Sequence, residues 1–233
     1  MARTIKHEER EGKRNEILDV AQRFVYTRGY EQMSIQDILD ELKISKGAFY
    51  HYFDSKQDLL EGLIERLRAQ SEREIIPRVR NSKLPALSRL QLMLRESTQW
   101  KTAQKEYLLA LLGVWYHDNN AIVRQKTTAN MTAWITPLIT QILADGARDG
   151  TMRMASPEAA ANVILTLMLG LGDAMAHEIL ALGMTDEAIA RRNAIQKIES
   201  LTAAYTRAME QTLGVKENSL ILMNKKMIRA WIT

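Results

Sequence analysis

Residues 34–56 read SIQDILDELKISKGAFYHYFDSK, and this stretch predicts two short helices joined by a tight turn. Ser34 stands before a run of apolar residues at helical spacing, and Asp37 follows it by three residues, as in a capping box. Ser45 can cap the next helix in the same way. Two short helices separated by three or four residues form a helix-turn-helix.

The second of these helices has an apolar face and a polar face. Phe49 and Phe53 can join a small core, to which the preceding segment adds Ile35, Ile38, Leu42 and Ile44. Nothing apolar requires burial on the opposite side, which carries Lys46, Gly47, Ala48, Tyr50 and His51. A DNA major groove accepts one α-helix, and the first residues of a recognition helix reach the base edges. We therefore expect this face to contact DNA, while Tyr52 fits either the core or the groove.

The rest of the chain predicts an all-α fold. Helices are expected over 13–28, 35–42, a short third segment and a fourth from Lys56 to about Ile76, where Pro77 should end it. Five further helices are expected over 86–101, 104–117, 121–149, 157–182 and 185–213. Apolar residues at helical spacing after Gly214 suggest a tenth, amphipathic helix, with disorder or a membrane-surface role as alternatives.

Composition and charge narrow the class of protein. The chain has 233 residues, no Cys and a net charge of +4, but residues 1–68 hold 12 Lys and Arg against 13 Asp and Glu. Net charge therefore does not argue for DNA binding. Polar residues interrupt the apolar stretch 159–182, which fits a buried helix better than a membrane span. The N-terminus lacks a secretory signal, so we expect a cytoplasmic protein.

The run ISKGAFYHYFDSKQDLL and the preceding Phe24, Gly29, Tyr30 and Ser34 framework resemble the tetracycline-repressor (TetR) family of bacterial regulators. The resemblance is strong over about residues 13–60. It implies an N-terminal three-helix DNA-binding domain with a helix-turn-helix at 1–56, and a larger C-terminal helical domain for ligand binding and dimerisation at 57–214. Residues 215–233 would be a C-terminal tail.

The resemblance also implies which residues meet DNA: Ser34, Gln36, Ser45, Lys46, Gly47, Ala48, Tyr50, His51, Tyr52 and Lys56. Lys56 would hold a phosphate. Basic residues near the start, such as Arg3 and Lys6, could add phosphate contacts or form only a solvated tail. Two residues depart from the family pattern. Lys43 stands where the family usually has a turn Gly, so it must adopt a left-handed conformation unless the turn differs. Leu39 stands where the family usually has Ala.

The C-terminal region resembles the family only in general plan. Its last long helices could pack across a twofold axis through Ala160, Ile164, Leu167, Leu171, Ala174 and Ile179, or these residues could form an intrachain core. A ligand pocket is suggested by large side chains that would also fill any helical core: Trp100, Tyr107, Trp115, Tyr116, His117, Trp134 and Met168. His117 and His177 lack the spacing of metal ligands, and we expect no metal or cofactor.

The resemblance implies a homodimeric repressor that binds a palindromic operator in double-stranded DNA and is released by a small-molecule effector, and we expect no membrane partner. The alternative is a DNA-binding module whose C-terminal bundle recruits a protein partner without a ligand. A helical-bundle enzyme is the third class considered. The sequence shows no phosphate loop, nucleophile elbow or paired acid and base, so an enzyme is not expected.

Overall fold

A computed structural model describes residues 2–183 and 188–232 of the chain, with side chains described from residue 9. Every regular element among these residues is helical, which confirms the all-α prediction. The described ranges contain one 3-10 turn, Asp118–Asn120, and ten helices: α1 Ala2–Arg28, α2 Ile35–Leu42, α3 Lys46–Tyr50, α4 Lys56–Arg80, α5 Ala86–Ala103, α6 Lys105–Tyr116, α7 Ala121–Arg148, α8 Pro157–Leu182, α9 Ala188–Leu213 and α10 Lys225–Ile232.

Two helices differ clearly from the predicted bounds. Helix α1 begins at Ala2 rather than near residue 13. The side chains of Arg3 and Lys6, for which phosphate contacts were considered, lie outside the described residues. The prediction that Pro77 ends α4 is wrong, because the helix continues to Arg80. Ile76 and Val79 flank Pro77 and are buried, so apolar burial offsets the roughly 3 kcal/mol that an interior proline costs a helix.

The chain divides into two compact units. The N-terminal unit comprises Met1–Gln70 and Glu106–Thr128, and the C-terminal unit comprises Ser71–Lys105 and Ala129–Thr233. Helix α1, the helix-turn-helix, the start of α4 and α6 supply the core of the N-terminal unit, whose largest fully buried side chains include Ile17, Leu18, Met33, Ile38, Phe49, Phe53, Leu59, Leu60, Leu63 and Tyr107. Each unit thus has an apolar core of its own.

Helix α8 packs along α9 in the C-terminal unit. Three of the α8 residues predicted to pack across a twofold axis, Ala160, Ile164 and Leu171, are instead buried in the core of their own unit. The intrachain alternative is correct for them, because they share the helix face turned toward that core. By length and composition α8 could span a membrane, and 33% of its most apolar stretch is buried within the protein. A core helix passes the same test.

The segment after Gly214 folds back onto the C-terminal unit. The side-chain amide of Gln91 accepts a hydrogen bond from the Ile221 nitrogen at 2.7 Å and donates one to the Ile221 carbonyl at 2.9 Å. Helix α10 then packs on α9 by burying Ile228 and Ile232 against Ile198. The predicted amphipathic helix is therefore present and covers part of α9.

Candidate nucleic-acid interface

A reciprocal cap fixes the start of α2. The Ser34 hydroxyl accepts a hydrogen bond from the Asp37 nitrogen at 3.1 Å, and the Asp37 carboxylate accepts one from the Ser34 nitrogen at 2.7 Å. This is the predicted capping box, with Asp in place of the usual Glu. The hydrogen bonds from Ser34 lower the pKa of Asp37, and the nearby Arg28 guanidinium, 3.2 Å away, adds to this effect.

The turn between the two helices passes through Lys43. This residue has φ 52° and ψ 43°, the left-handed conformation expected for a side chain in the place of a turn glycine. Its backbone nitrogen and that of Ile44 both donate to the Leu39 carbonyl, which closes the end of α2. Leu39 itself is buried in the core, so its larger side chain is accommodated.

Helix α3 has only five residues, and its two sides have opposite surroundings. The Ser45 hydroxyl caps it by accepting from the Ala48 nitrogen at 3.2 Å. Phe49 is 0% exposed and lies 5.8 Å from Phe53 between ring centroids, whereas the adjacent Tyr50 is 41% exposed. The predicted separation of a core face from a free face is confirmed.

The residues predicted to meet DNA lie at the start of α2, along α3 and at the start of α4. Most are exposed, namely Ser34, Gln36, Ser45, Lys46, Gly47, Tyr50 and His51. Ala48, Tyr52 and Lys56 are half-buried, and Tyr52 packs against the core of the N-terminal unit. Gln36 is already hydrogen-bonded to Asp40 at 2.7 Å. The α3 side chains of Lys46, Tyr50 and His51 are therefore the most accessible for base contacts.

Lys56 is positioned by a tyrosine that sequence reasoning did not assign to the site. The Lys56 ammonium donates to the Glu31 carbonyl at 3.1 Å and lies 4.6 Å from the centre of the Tyr30 ring. In return, the Tyr30 hydroxyl donates to the Lys56 carbonyl at 2.6 Å. Burial raises the pKa of Tyr30, so the phenol stays protonated as a donor. The two hydrogen bonds join residues 26 and 25 positions apart, and no local sequence signal marks them.

A second contact that the sequence did not indicate supports the helix-turn-helix from α1. The Arg14 guanidinium lies 5.0 Å from the centre of the Phe53 ring, in a cation–π arrangement. Gly62 on α4 leaves room for this pair, because a methyl group there would lie 2.9 Å from Phe53 and 3.2 Å from Arg14. Helices α1 and α4 thus hold the end of the motif between them.

The seven side chains predicted to line one ligand pocket are divided between the two units. Trp100, Trp134 and Met168 pack against the core of the C-terminal unit, and the Trp134 indole donates to Glu72 at 3.0 Å. The other four, Tyr107, Trp115, Tyr116 and His117, belong to the N-terminal unit. Each unit holds part of the predicted set, and the shared ligand pocket stays a prediction.

The four in the N-terminal unit have local roles. Tyr107 is buried in the core and stacks on Tyr26 with ring centroids 4.8 Å apart. The Arg124 guanidinium lies 5.5 Å from the centre of the Tyr116 ring and donates to the Trp115 carbonyl. His117 caps the 3-10 turn by accepting from the Asn119 nitrogen at 3.3 Å. Across the described residues, no three His, Asp or Glu side chains gather into a metal-binding group.

Residues 17–63, which include the capped α2, the turn and α3, match the family of bacterial regulatory proteins named tetR. The helix-turn-helix segment of this chain is therefore similar to that of the TetR family. The part of the chain that matches is the segment in which sequence and structure agreed on a helix-turn-helix. Over this segment the chain is also similar to proteins described as HTH-type transcriptional regulators.

Two relatives described as HTH-type regulators show how far the sequence similarity extends. An HTH-type transcriptional regulator of Lactococcus lactis is 42% identical over 52 residues, which are 22% of this chain and 26% of that protein. The HTH-type transcriptional repressor KstR2 of Rhodococcus jostii is 36% identical over 53 residues, 23% of this chain and 26% of its own length. The matched segments thus span about a quarter of these relatives.

The fold similarity reaches much further than the sequence similarity. The crystal structure of a TetR-family transcriptional regulator from Pectobacterium atrosepticum superposes with a TM-score of 0.62 at 17% identity. It covers 83% of this chain and 92% of the other. At this identity the comparison establishes a shared helical fold beyond the helix-turn-helix.

Proposed function

We propose that this protein is a transcriptional regulator that inserts α3 into the major groove of double-stranded DNA. The observation that carries this proposal is the opposite exposure of Phe49 and Tyr50 on one short, capped helix. Phe49 anchors the helix in the core, while Lys46, Tyr50 and His51 stay free on the outside. A major groove has the width to accept such a helix.

The proposal includes a homodimer formed through α8. This helix has a mean hydropathy of 1.6 over its most apolar stretch, yet two thirds of that stretch is not buried within the chain. Val163 is 44% exposed on the face turned away from the core. A second copy packed on this face would cover it and would present two α3 helices to DNA. Two such helices read half-sites about one helical turn, or a multiple of one, apart.

We also propose that DNA binding represses transcription in the cytoplasm and that a small molecule releases it. The name of KstR2, a repressor similar over the DNA-binding segment, supports the direction of regulation. A groove of about 900 Å³ between α7 and the start of α8, lined largely by short side chains such as Ala133, Thr136 and Thr140, offers space for an effector. Release requires a coupling free energy of about 1–3 kcal/mol between effector and DNA.

The experiment that tests the proposal is selection of bound sequences from random double-stranded DNA. We expect enrichment of an inverted repeat with half-site centres about 10 base pairs apart or a multiple of that. Enrichment of a lone half-site would contradict the dimer and retain DNA binding. Recovery of no sequence preference at low salt, with a folded protein, would contradict the proposed function itself.

A further inference from the structure

The two largest side chains on the free face of α3, those of Lys46 and Tyr50, lie beside each other. They are one helical turn apart, and the Lys46 ammonium lies 5.9 Å from the centre of the Tyr50 ring. The Tyr50 ring also meets the buried Phe49 ring nearly at a right angle, 88°, with centroids 5.5 Å apart. The exposed surface of α3 therefore offers a cationic donor next to an aromatic ring whose position is supported by the core.

The Lys46 ammonium is available to a ligand. Within the described part of the chain, it forms no ion pair and no hydrogen bond, and its one contact is with the Tyr50 ring. All three of its N–H donors are thus free. Guanine displays two acceptors side by side in the major groove, N7 and O6, and lysine donates to both. Adenine and cytosine place an amino donor there, which an ammonium does not match.

The Tyr50 ring suits a different base. Thymine carries a methyl group at C5 in the major groove, and this group is recognised by apolar contact. Because Tyr50 is exposed while its ring rests against Phe49, little side-chain freedom is lost when the ring packs on such a methyl group. The ring therefore favours thymine over cytosine, which lacks the methyl group.

The neighbouring residues leave room for this pair to reach DNA. Gly47 and Ala48 lie between the two side chains, and a methyl group added at Gly47 would meet only the Ser45 hydroxyl, 3.9 Å away. The His51 ring lies against Tyr52, with centroids 5.0 Å apart. The base edges can thus approach α3 closely, with Lys46 and Tyr50 as the side chains that meet them.

The separation of the two groups sets the spacing of their targets. Successive bases of a strand are about 3.4 Å apart along the DNA axis. The 5.9 Å between the ammonium and the ring centre includes the radius of the ring, so the two groups reach successive base pairs. We propose that Lys46 reads a guanine and Tyr50 reads a thymine on neighbouring base pairs of the preferred DNA sequence. This inference rests on the proposed function, since it names the bases that the same face recognises.

The test uses the full chain and duplexes of the sequence selected from random DNA, with one base replaced at a time. 7-Deazaguanine removes the N7 acceptor of guanine, and uracil removes the methyl group of thymine. Hypoxanthine is the matched control, because it lacks only the guanine amino group that faces the minor groove. Fluorescence anisotropy gives the dissociation constant for each duplex.

We expect 7-deazaguanine at the predicted position to weaken binding about tenfold, as loss of a hydrogen bond to a charged group does. Uracil should weaken it about fourfold, which corresponds to one methyl group no longer buried. Hypoxanthine should leave the affinity unchanged. A selected sequence without a guanine next to a thymine, or full affinity for every uracil duplex, would overturn the inference and leave the proposed function intact. Selection of no sequence would contradict both.

Three variants assign the contacts to side chains. Lys46→Met keeps the apolar stem and removes the ammonium, so 7-deazaguanine should cause it no further loss. Tyr50→Ala should bind thymine and uracil duplexes alike, whereas Tyr50→Phe keeps the ring and should still distinguish them. Sensitivity to uracil that persisted in Tyr50→Ala would place the methyl contact on another residue. An equal loss in Tyr50→Phe on selected and scrambled DNA would reveal a phosphate contact through the hydroxyl and overturn the assignment of Tyr50.

Discussion

At the scale of single residues, the free face of α3 and the start of α4 should contribute to DNA binding in different ways. Tyr50→Ala and Lys46→Ala remove side chains expected at base edges, so each should cost about 1–3 kcal/mol on the selected sequence and little on scrambled DNA. Lys56→Ala should weaken both DNAs alike and reduce the slope of log K against log salt by about 0.9. Titrations at several salt concentrations measure both effects.

The contacts of Lys56 make this assignment testable. Its ammonium lies beside Tyr30 and the Glu31 carbonyl, so its position is set before DNA arrives. A phosphate contact from such a position carries no sequence information. If Lys56→Ala altered sequence preference while Tyr50→Ala did not, the two roles would have to be exchanged.

Gly62 should resist substitution even though it lies inside a helix. A methyl group there would approach the Phe53 ring at 2.9 Å and Leu18 at 3.1 Å. Gly62→Ala should therefore lower the free energy of unfolding by about 1–3 kcal/mol, as overpacking does. Gly113→Ala is the matched control, because no atom lies within 4 Å of the added methyl, and it should stabilise by about 0.5–1 kcal/mol. Urea unfolding of both variants measures the difference, and equal effects would contradict the packing argument.

Sequence periodicity was sufficient to separate Phe49 from Tyr50, because neighbouring positions on a helix point in different directions. Periodicity could not reveal that the Lys56 ammonium contacts the Tyr30 ring or that the Arg14 guanidinium contacts the Phe53 ring. Those pairs are brought together by the packing of helices far apart in sequence. The exposure of a side chain was therefore predictable where its position on its own helix decides it. Contacts between residues of different helices were not predictable.

At the scale of elements, the turn after α2 requires a left-handed backbone conformation, and the residue that adopts it is a lysine rather than a glycine. Lys43 adopts a left-handed conformation that glycine adopts without a steric penalty. We expect Lys43→Gly to raise the free energy of unfolding by about 1 kcal/mol. The same substitution at Glu41, inside α2, should lower it by about 1 kcal/mol. Chemical denaturation distinguishes them, and destabilisation by Lys43→Gly would mean that the lysine side chain contributes a contact.

The capping box of α2 predicts a specific dependence on pH. Hydrogen bonds from Ser34 hold the pKa of Asp37 below its value in the unfolded chain, so the cap stabilises the fold above the unfolded pKa of about 3.9. This contribution is lost as the pH falls through the lowered pKa of the folded state. Asp37→Asn should lower the free energy of unfolding at neutral pH. It should also make that free energy depend less steeply on pH in the acid range. Unfolding measured from pH 7 to pH 2 tests this, with Asp40→Asn on the same helix as the control.

Caps and prolines show why some helix ends were predictable. Ser34 and Ser45 act through neighbours three residues away, so the sequence contained the whole signal for α2 and α3. Pro77 gave a misleading signal, because its local cost is outweighed by the burial of Ile76 and Val79 in a core that distant helices complete. Helix α1 could be placed only over its apolar part, because apolar periodicity was the signal used and residues 9–12 are exposed.

At the scale of the whole molecule, the free face of α8 should control assembly. Val163→Asp places a charge on an exposed apolar position, so it should raise the dimer dissociation constant at least about tenfold, because an unpaired charge would be buried on association. Ile122→Asp is the control, since Ile122 is also exposed but lies in the N-terminal unit. Analytical ultracentrifugation measures both variants. Dissociation by Ile122→Asp alone would place the interface elsewhere.

The whole-molecule level is also where sequence reasoning was weakest. Large side chains at Trp100, Tyr107 and Trp134 suggested one pocket; each packs against the core of its own unit, and the pocket they would share stays a prediction. An aromatic residue at helical spacing indicates burial without indicating its neighbours.

The shortness of α3 has a consequence for how such a protein could be redesigned. One side chain, Phe49, and one cap, Ser45, hold the helix in place, and neither is among its freely exposed positions Lys46, Tyr50 and His51. Those three positions can therefore be randomised together with little effect on folding. A library of variants at these positions would change the preferred DNA sequence while keeping the same fold. Differences in binding among its members could then be assigned to the substituted α3 side chains.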